Sequence, residues 1–195
     1  KSLYTAGPAS LLKENLQAMQ PCFGRNDKVY EEIENIVLNY LKKLSSHKNI
    51  VRIQGSGTLA IEIGLTNFCY GKILVIDTGY YAQRMISILK RYQKQNKLEI
   101  HIKNYQEVFD INEQSFDWVV SCYTETSVGF KVDINKIKDL TNSFEAKLFI
   151  DGTASIGLEK SHNLADVLCY SSCKGLFGFT GSSFIVFNEK DNLNP

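Results

Sequence analysis

Short runs with no polar face recur along this chain, and segments of helical periodicity separate them. Lys72-Ile73-Leu74-Val75-Ile76-Asp77, Asp117-Trp118-Val119-Val120-Ser121-Cys122, Leu148-Phe149-Ile150, Val167-Leu168-Cys169-Tyr170 and Ser183-Phe184-Ile185-Val186-Phe187 read as strands, and residues 50–53 and 98–102 add two more. A strand that is apolar on both sides must be covered on both sides, which parallel sheets achieve with helices. The intervening segments supply those helices. Residues 30–44 place Ile33, Ile36, Val37, Tyr40, Leu41 and Leu44 at helical spacing, with acids early and lysines late, as the macrodipole favours. Leu59, Ile61, Ile63 and Leu65 mark a second helix. A third runs from Gly79 to about Tyr92, and Asp133 can cap a fourth through Asn142. The alternation predicts an α/β fold, a three-layer sandwich around a mostly parallel sheet.

The 195 residues suit one large domain or one and a half, and a 44% hydrophobic content is enough for a sizeable core. The formal net charge of +1, with no basic run, gives no reason to expect nucleic acid or an acidic membrane surface as partner. No apolar stretch approaches the roughly 18 residues that span a bilayer. Lys1-Ser2-Leu3-Tyr4 is not a signal peptide and lacks an initiator Met, so the chain is expected to begin inside a longer protein. Asn192-Leu193-Asn194-Pro195 has the look of a cut linker. Cys22, Cys69, Cys122, Cys169 and Cys173 are odd in number, form no C-x-x-C and sit partly in apolar runs. They read as reduced thiols of a cytoplasmic protein. Cys169, Cys173 and His162 lack a second ligand pair, so no metal is expected.

Parallel sheets bind ligands beyond the carboxyl ends of their strands. Three such ends here carry chemistry. Gly55-Ser56-Gly57-Thr58 permits a tight turn whose amides open a helix, a setting that favours an anion, although a plain strand-to-helix turn has the same composition. Asp151 follows Leu148-Phe149-Ile150. It is either a helix cap or a carboxylate meeting a buried cation or donor. Lys174, in Tyr170-Ser171-Ser172-Cys173-Lys174-Gly175, is either a solvated loop lysine or an amine made nucleophilic by desolvation. An anion turn, a carboxylate and a lysine 23 positions later together match pyridoxal 5'-phosphate, which has a phosphate, a ring nitrogen and an aldehyde to be held.

The sequence resembles class V aminotransferases, pyridoxal-phosphate enzymes of fold type I, and most closely the 2-aminoethylphosphonate–pyruvate and alanine–glyoxylate transaminases. The resemblance runs from Thr5-Ala6-Gly7-Pro8, where Ala6 replaces a proline, to Phe187. It implies that Ser56, Gly57 and Thr58 bind the phosphate. It implies that Tyr81, in Gly79-Tyr80-Tyr81-Ala82-Gln83-Arg84-Met85, stacks on the pyridine ring, although core or surface packing is the ordinary place for such a tyrosine. Thr126, in Thr124-Glu125-Thr126-Ser127-Val128-Gly129, would lie near the phenolic oxygen. Asp151 would hold the ring nitrogen and Thr153 the second ring face. Lys174 would be the Schiff-base lysine. Cys173 stands where many relatives carry Gln or Asn, which puts one phosphate contact in question.

The same resemblance implies what the whole chain is. Residues 1–195 are expected to be the cofactor-binding large domain, cut before a small C-terminal domain that carries the arginine clamping the substrate carboxylate. Arg25 and Arg84 are the candidates if that clamp lies within the chain. The expected activity is amino transfer from a small donor, 2-aminoethylphosphonate or alanine-like, to a small 2-oxo acid, in a cytoplasmic homodimer. A lyase or desulfurase on the same cofactor, and a non-catalytic relative serving as an assembly domain, are the alternatives.

Overall fold

The computed structural model describes residues 7–19, 22–24, 26–111 and 115–188. Thr5, Ala6, Arg25 and the segment 192–195 singled out in the sequence lie outside the described residues. Seven strands form the main sheet: β1 (Asn49–Gln54), β2 (Lys72–Asp77), β3 (Glu99–Asn104), β4 (Trp118–Cys122), β7 (Lys147–Asp151), β8 (Val167–Ser171) and β9 (Ser182–Phe187). Their order is β1-β9-β8-β7-β4-β2-β3. Two short strands, β5 (Thr124–Glu125) and β6 (Phe130–Lys131), pair separately just beyond the end of β4. Five helices accompany them: α1 (Lys13–Gln17), α2 (Lys28–Ser45), α3 (Gly57–Phe68), α4 (Tyr80–Tyr92) and α5 (Ile134–Ser143).

The period of two along each strand divides the core cleanly. Ile73, Val75, Trp118, Val120, Phe149, Val167, Cys169 and Ile185 pack on the face covered by α3 and α4. Leu74, Ile76, Val119, Leu148, Ile150, Leu168, Tyr170 and Val186 pack on the other face, with Leu41 of α2 and Ile134 and Ile137 of α5. Each fully buried large side chain contributes about 1.5–3 kcal/mol, so the two-sided strands supply most of the driving force. Helix α3 comes unusually near the sheet because Gly64 has no side chain. A Cβ there would meet Cys169 Sγ at 2.7 Å and Phe149 Cε2 at 2.9 Å.

The sheet is mostly parallel, as the alternation predicts, but not wholly so: β2, β3, β4, β7 and β8 are parallel, while β9 runs against both β1 and β8. Only residues 172–181 join β8 to β9, too few for the crossover that parallel neighbours require. Because β1 pairs with the reversed strand, its own carboxyl end still points the same way as that of β8. Nor is every strand apolar on both faces, since edge strands β1 and β3 are largely half-buried or exposed. The apolar positions of α2 also divide. Leu38, Leu41 and Leu44 pack on the core, whereas Ile33, Ile36, Val37 and Tyr40 are exposed. Asp27 caps this helix, accepting from Val29 N at 2.9 Å, and Ser46 ends it in the left-handed region.

The connection from β2 to β3 runs through α4 on one face. The connection from β4 to β7 runs through α5 on the other. Chain direction across the sheet therefore reverses at β2 and β4, which opens a crevice at their carboxyl ends.

Candidate active site

Beyond the end of β1, Ser56 caps α3 by accepting from Leu59 N at 3.2 Å. Gly57, the first helical residue, is buried where a Cβ would lie 3.2 Å from Thr153 and 3.3 Å from Ser171. The absence of a side chain thus leaves the open amides of the first turn facing the loops after β7 and β8. Thr58 Oγ1 accepts from Arg84 Nη1 at 2.8 Å.

Asp151 ends β7 and is 4% exposed, on the sheet face that α3 and α4 cover. Its carboxylate accepts from Thr153 N at 2.9 Å, and the Thr153 hydroxyl beside it makes no aligned bond. Burial pushes the Asp151 carboxyl above the usual range, against the pull of the Thr153 hydroxyl and amide and of the Lys174 charge. Next to Asp151 in the sheet register stands Cys122, held firmly as a thiol by burial and then by the Asp151 and Glu125 carboxylates. Lys174 extends from the β8–β9 loop, with Nζ 5.2 Å from the centre of the Tyr81 ring. It makes no ion pair among the described residues. The segment 7–9 begins over its stem, where a Cβ on Gly7 would meet Lys174 Cγ at 2.8 Å. Ala9 N anchors that segment by donating to Cys173 O at 2.8 Å. Cys173 Sγ lies 3.6 Å from Ser171 Oγ, a weak contact.

Tyr81 is placed by a residue whose role the sequence reading overlooked. The N-cap of α4 is Gly79, which offers no side chain to the open amides. Glu125, fully buried on β5, reaches across and accepts from Tyr81 N at 3.0 Å and Ala82 N at 3.3 Å. Its other oxygen accepts from the backbone and hydroxyl of Ser127. One carboxylate thereby caps α4, meets its dipole and fixes the loop carrying Thr126. A weaker form of the signal that marked Asp151 was available for Glu125, an acid three residues beyond the apolar strand β4. Replacing Glu125 with Ala strands buried amides and is expected to cost about 3 kcal/mol, against about 1 for Glu125→Gln. Urea midpoints at unchanged slope measure the difference, and equal costs would remove the charge from this account.

Gly57, Thr58, Tyr81, Thr126, Asp151, Thr153, Cys173 and Lys174 line one cavity of about 180 Å³, together with Arg84, Cys122, Thr124 and Ala154. Ser56 is exposed on the outer side of the turn and does not line it.

No protein-family model matches the chain. Curated proteins and solved structures do. An uncharacterized aminotransferase of Methanocaldococcus jannaschii is 27% identical over 205 residues, covering 97% of this chain and 53% of that protein. A 2-aminoethylphosphonate–pyruvate transaminase of Pseudomonas putida is 28% identical over 206 residues, covering 98% of this chain and 55% of its own length. The aspartate aminotransferase of subgroup IV from Thermus thermophilus superposes with a TM-score of 0.89 at 20% identity, over 100% of this chain and 60% of that one. This chain is similar to the class V aminotransferases. Its fold is that of solved aminotransferases, and the chain spans about half the length of the curated relatives it matches. With relatives named as transaminases, the lyase or desulfurase alternative is not favoured. Among the described residues no helix is long and apolar enough to cross a membrane.

Proposed function

We propose that this chain forms the cofactor-binding part of a pyridoxal-phosphate-dependent aminotransferase. The protein would move an amino group from a small donor, 2-aminoethylphosphonate or alanine-like, to a small 2-oxo acid. The observation that carries the reading is the convergence of an amine, a buried carboxylate and a glycine-cradled helix start on one aromatic-walled cavity.

The donor set fits the cofactor. Thr124 Oγ1 is buried at this cavity without a partner among the described residues, and Thr153 Oγ1 lies beside the Asp151 carboxylate without an aligned bond, the state expected of groups that await a ligand. The amides at Gly57 and the Thr58 hydroxyl would hold the phosphate, with Ser56 contributing from the outer side of the turn. Tyr81 would cover one ring face and Thr153 the other, while Thr126 would face the phenolic oxygen. Cys173 offers the phosphate only a weak S–H donor. When bound, pyridoxal phosphate supplies an electron-poor ring conjugated to the amine it carries. Asp151 would keep a proton on the ring nitrogen. Its buried carboxylate is in no ion pair among the described residues and would gain a cation there. Lys174 Nζ would hold the aldehyde, and its amine would serve as the base and acid that moves the proton at the substrate carbon.

Amino transfer distinguishes this reading from its rivals. Cofactor-loaded protein is incubated with 2-aminoethylphosphonate, alanine or cysteine, and oxo products and sulfide are assayed. Oxo product from an amine donor, dependent on pyruvate or glyoxylate, is expected. Sulfide from cysteine without amino transfer would sink the proposal.

A further inference from the structure

Arg84 belongs to no ion pair among the described residues, yet its guanidinium is held from several sides. Nη1 donates to Thr58 Oγ1 at 2.8 Å and Nη2 to Tyr80 Oη at 3.2 Å. The guanidinium carbon lies 5.1 Å from the centre of the Tyr80 ring and 5.2 Å from that of Tyr81. It is half-buried at the wall of the cavity that Thr58 and Lys174 also line. A surface arginine with no function of its own is usually spread into water with several rotamers open to it. Here two rings and two hydroxyls select one placement, and the positive charge is left facing the side of the cavity where α3 begins.

The bond to Thr58 also has a direction. Guanidinium nitrogens only donate, so the Thr58 oxygen spends a lone pair on Arg84 and its own proton must point elsewhere. Helix α3 begins one residue earlier at Gly57, which also lines the cavity, and the first amides of a helix have no partner within it. Nearby, Cys173 provides only a thiol. A phosphate monoester carries up to two negative charges. In this wall Arg84 supplies a fixed cation to meet them.

We propose that Arg84 is a positioning residue for the phosphate group of the cofactor, orienting the Thr58 hydroxyl toward it and supplying the compensating charge of the cradle. The inference rests on the cofactor reading above. It adds to that reading a residue outside the glycine turn, and it treats Arg84 as serving the phosphate rather than clamping a substrate carboxylate.

The test compares two ligands that differ only in the phosphate. Dissociation constants for pyridoxal phosphate and for pyridoxal are measured by absorbance on the parent protein and on Arg84→Gln, Arg84→Lys and Thr58→Val. Arg84→Gln is expected to weaken pyridoxal phosphate about 10- to 100-fold while pyridoxal changes less than about threefold. Arg84→Lys keeps the charge without the planar fork and should fall between. Thr58→Val removes the shared hydroxyl. In the Thr58→Val background, Arg84→Gln should therefore cost less than it does alone. This second variant also reports on the pair if Arg84→Gln proves unstable. Equal weakening of both ligands, or no change in either, overturns the inference, as does a change confined to the Michaelis constant for the amino donor or oxo acid. Failure of the parent to bind pyridoxal phosphate would instead overturn the cofactor reading itself.

Discussion

Lys174→Ala is expected to abolish borohydride-stable attachment of the cofactor and to lower amino transfer by about 10³-fold or more, because both the covalent anchor and the proton carrier are lost. The fold should survive. Lys174 is half-buried, pairs with no carboxylate among the described residues, and rests its stem against a glycine rather than in either core. Peptide mapping after borohydride reduction of the parent should place the label on Lys174 alone. Other lysines provide the control. Lys131 is tied to Glu159 at 3.0 Å, and Lys160 sits where its backbone carbonyl accepts from Tyr123 Oη, neither beside the cavity. A label on either of them would show that the amine of the β8–β9 loop is not the anchor. If cofactor persists on Lys174→Ala by phosphate contacts alone, it should wash out on gel filtration where the parent's does not.

Asp151→Asn should separate chemistry from binding. The amide keeps the shape and can still accept from Thr153 N, but it cannot hold a cationic ring nitrogen. Loss of one charge-assisted bond costs roughly 1.5–3 kcal/mol, about 10- to 100-fold in proton abstraction, while cofactor affinity should fall far less. Stability without cofactor should move in the opposite sense. Burial raises the Asp151 carboxyl, so between its ordinary value and the raised one the folded chain binds more protons than the unfolded chain. Stability from this group is therefore lost as pH rises through that interval. At neutral pH the unliganded Asn variant, with no charge to bury, should be the more stable protein, and the gap should close in acid. Urea unfolding across that interval measures it. Parent-like turnover in the Asn variant, or a stability gap that is flat with pH, would remove the electronic role from Asp151.

Much of this was legible in the residues. Ile73 and Leu74 announce a strand covered on both faces, and the boundaries of β2 follow from Lys72 and Asp77 themselves. The positions of Asp151 and Lys174 at strand ends follow from the same logic. What escaped depended on partners distant in sequence. Glu125 could be seen as an acid after an apolar strand. That it caps α4 across 44 residues depends on how β4 and β2 lie side by side. The reversal of β9 was available from the shortness of 172–181, and reading all apolar strands as alike hid it. On α2 the periodicity was real, but it could not tell which apolar positions meet the core, because Ile36 and Leu41 are equally hydrophobic and only docking separates them.

The reversed strand has one further consequence. Gln54, just before the glycine turn, stands opposite Ser182, and Ser171, just before the lysine loop, stands opposite Ser183, so both segments leave the sheet from neighbouring rungs of β9. Gly55 N then donates to Gly181 O at 2.9 Å and Ser172 N to Ser182 O at 3.0 Å, bolting each departure to the same short stretch. β9 thus works as a caliper. Its two jaws, the anion turn and the amine loop, stand two strand spacings apart, about 10 Å. That opening is held by main-chain bonds, which substitutions at Gly55 and Ser172 leave in place unless the new residue is proline. For the cofactor proposed above, this spacing would gauge the distance between its anionic end and its carbonyl, and changes of specificity would be left to the residues that line the gap.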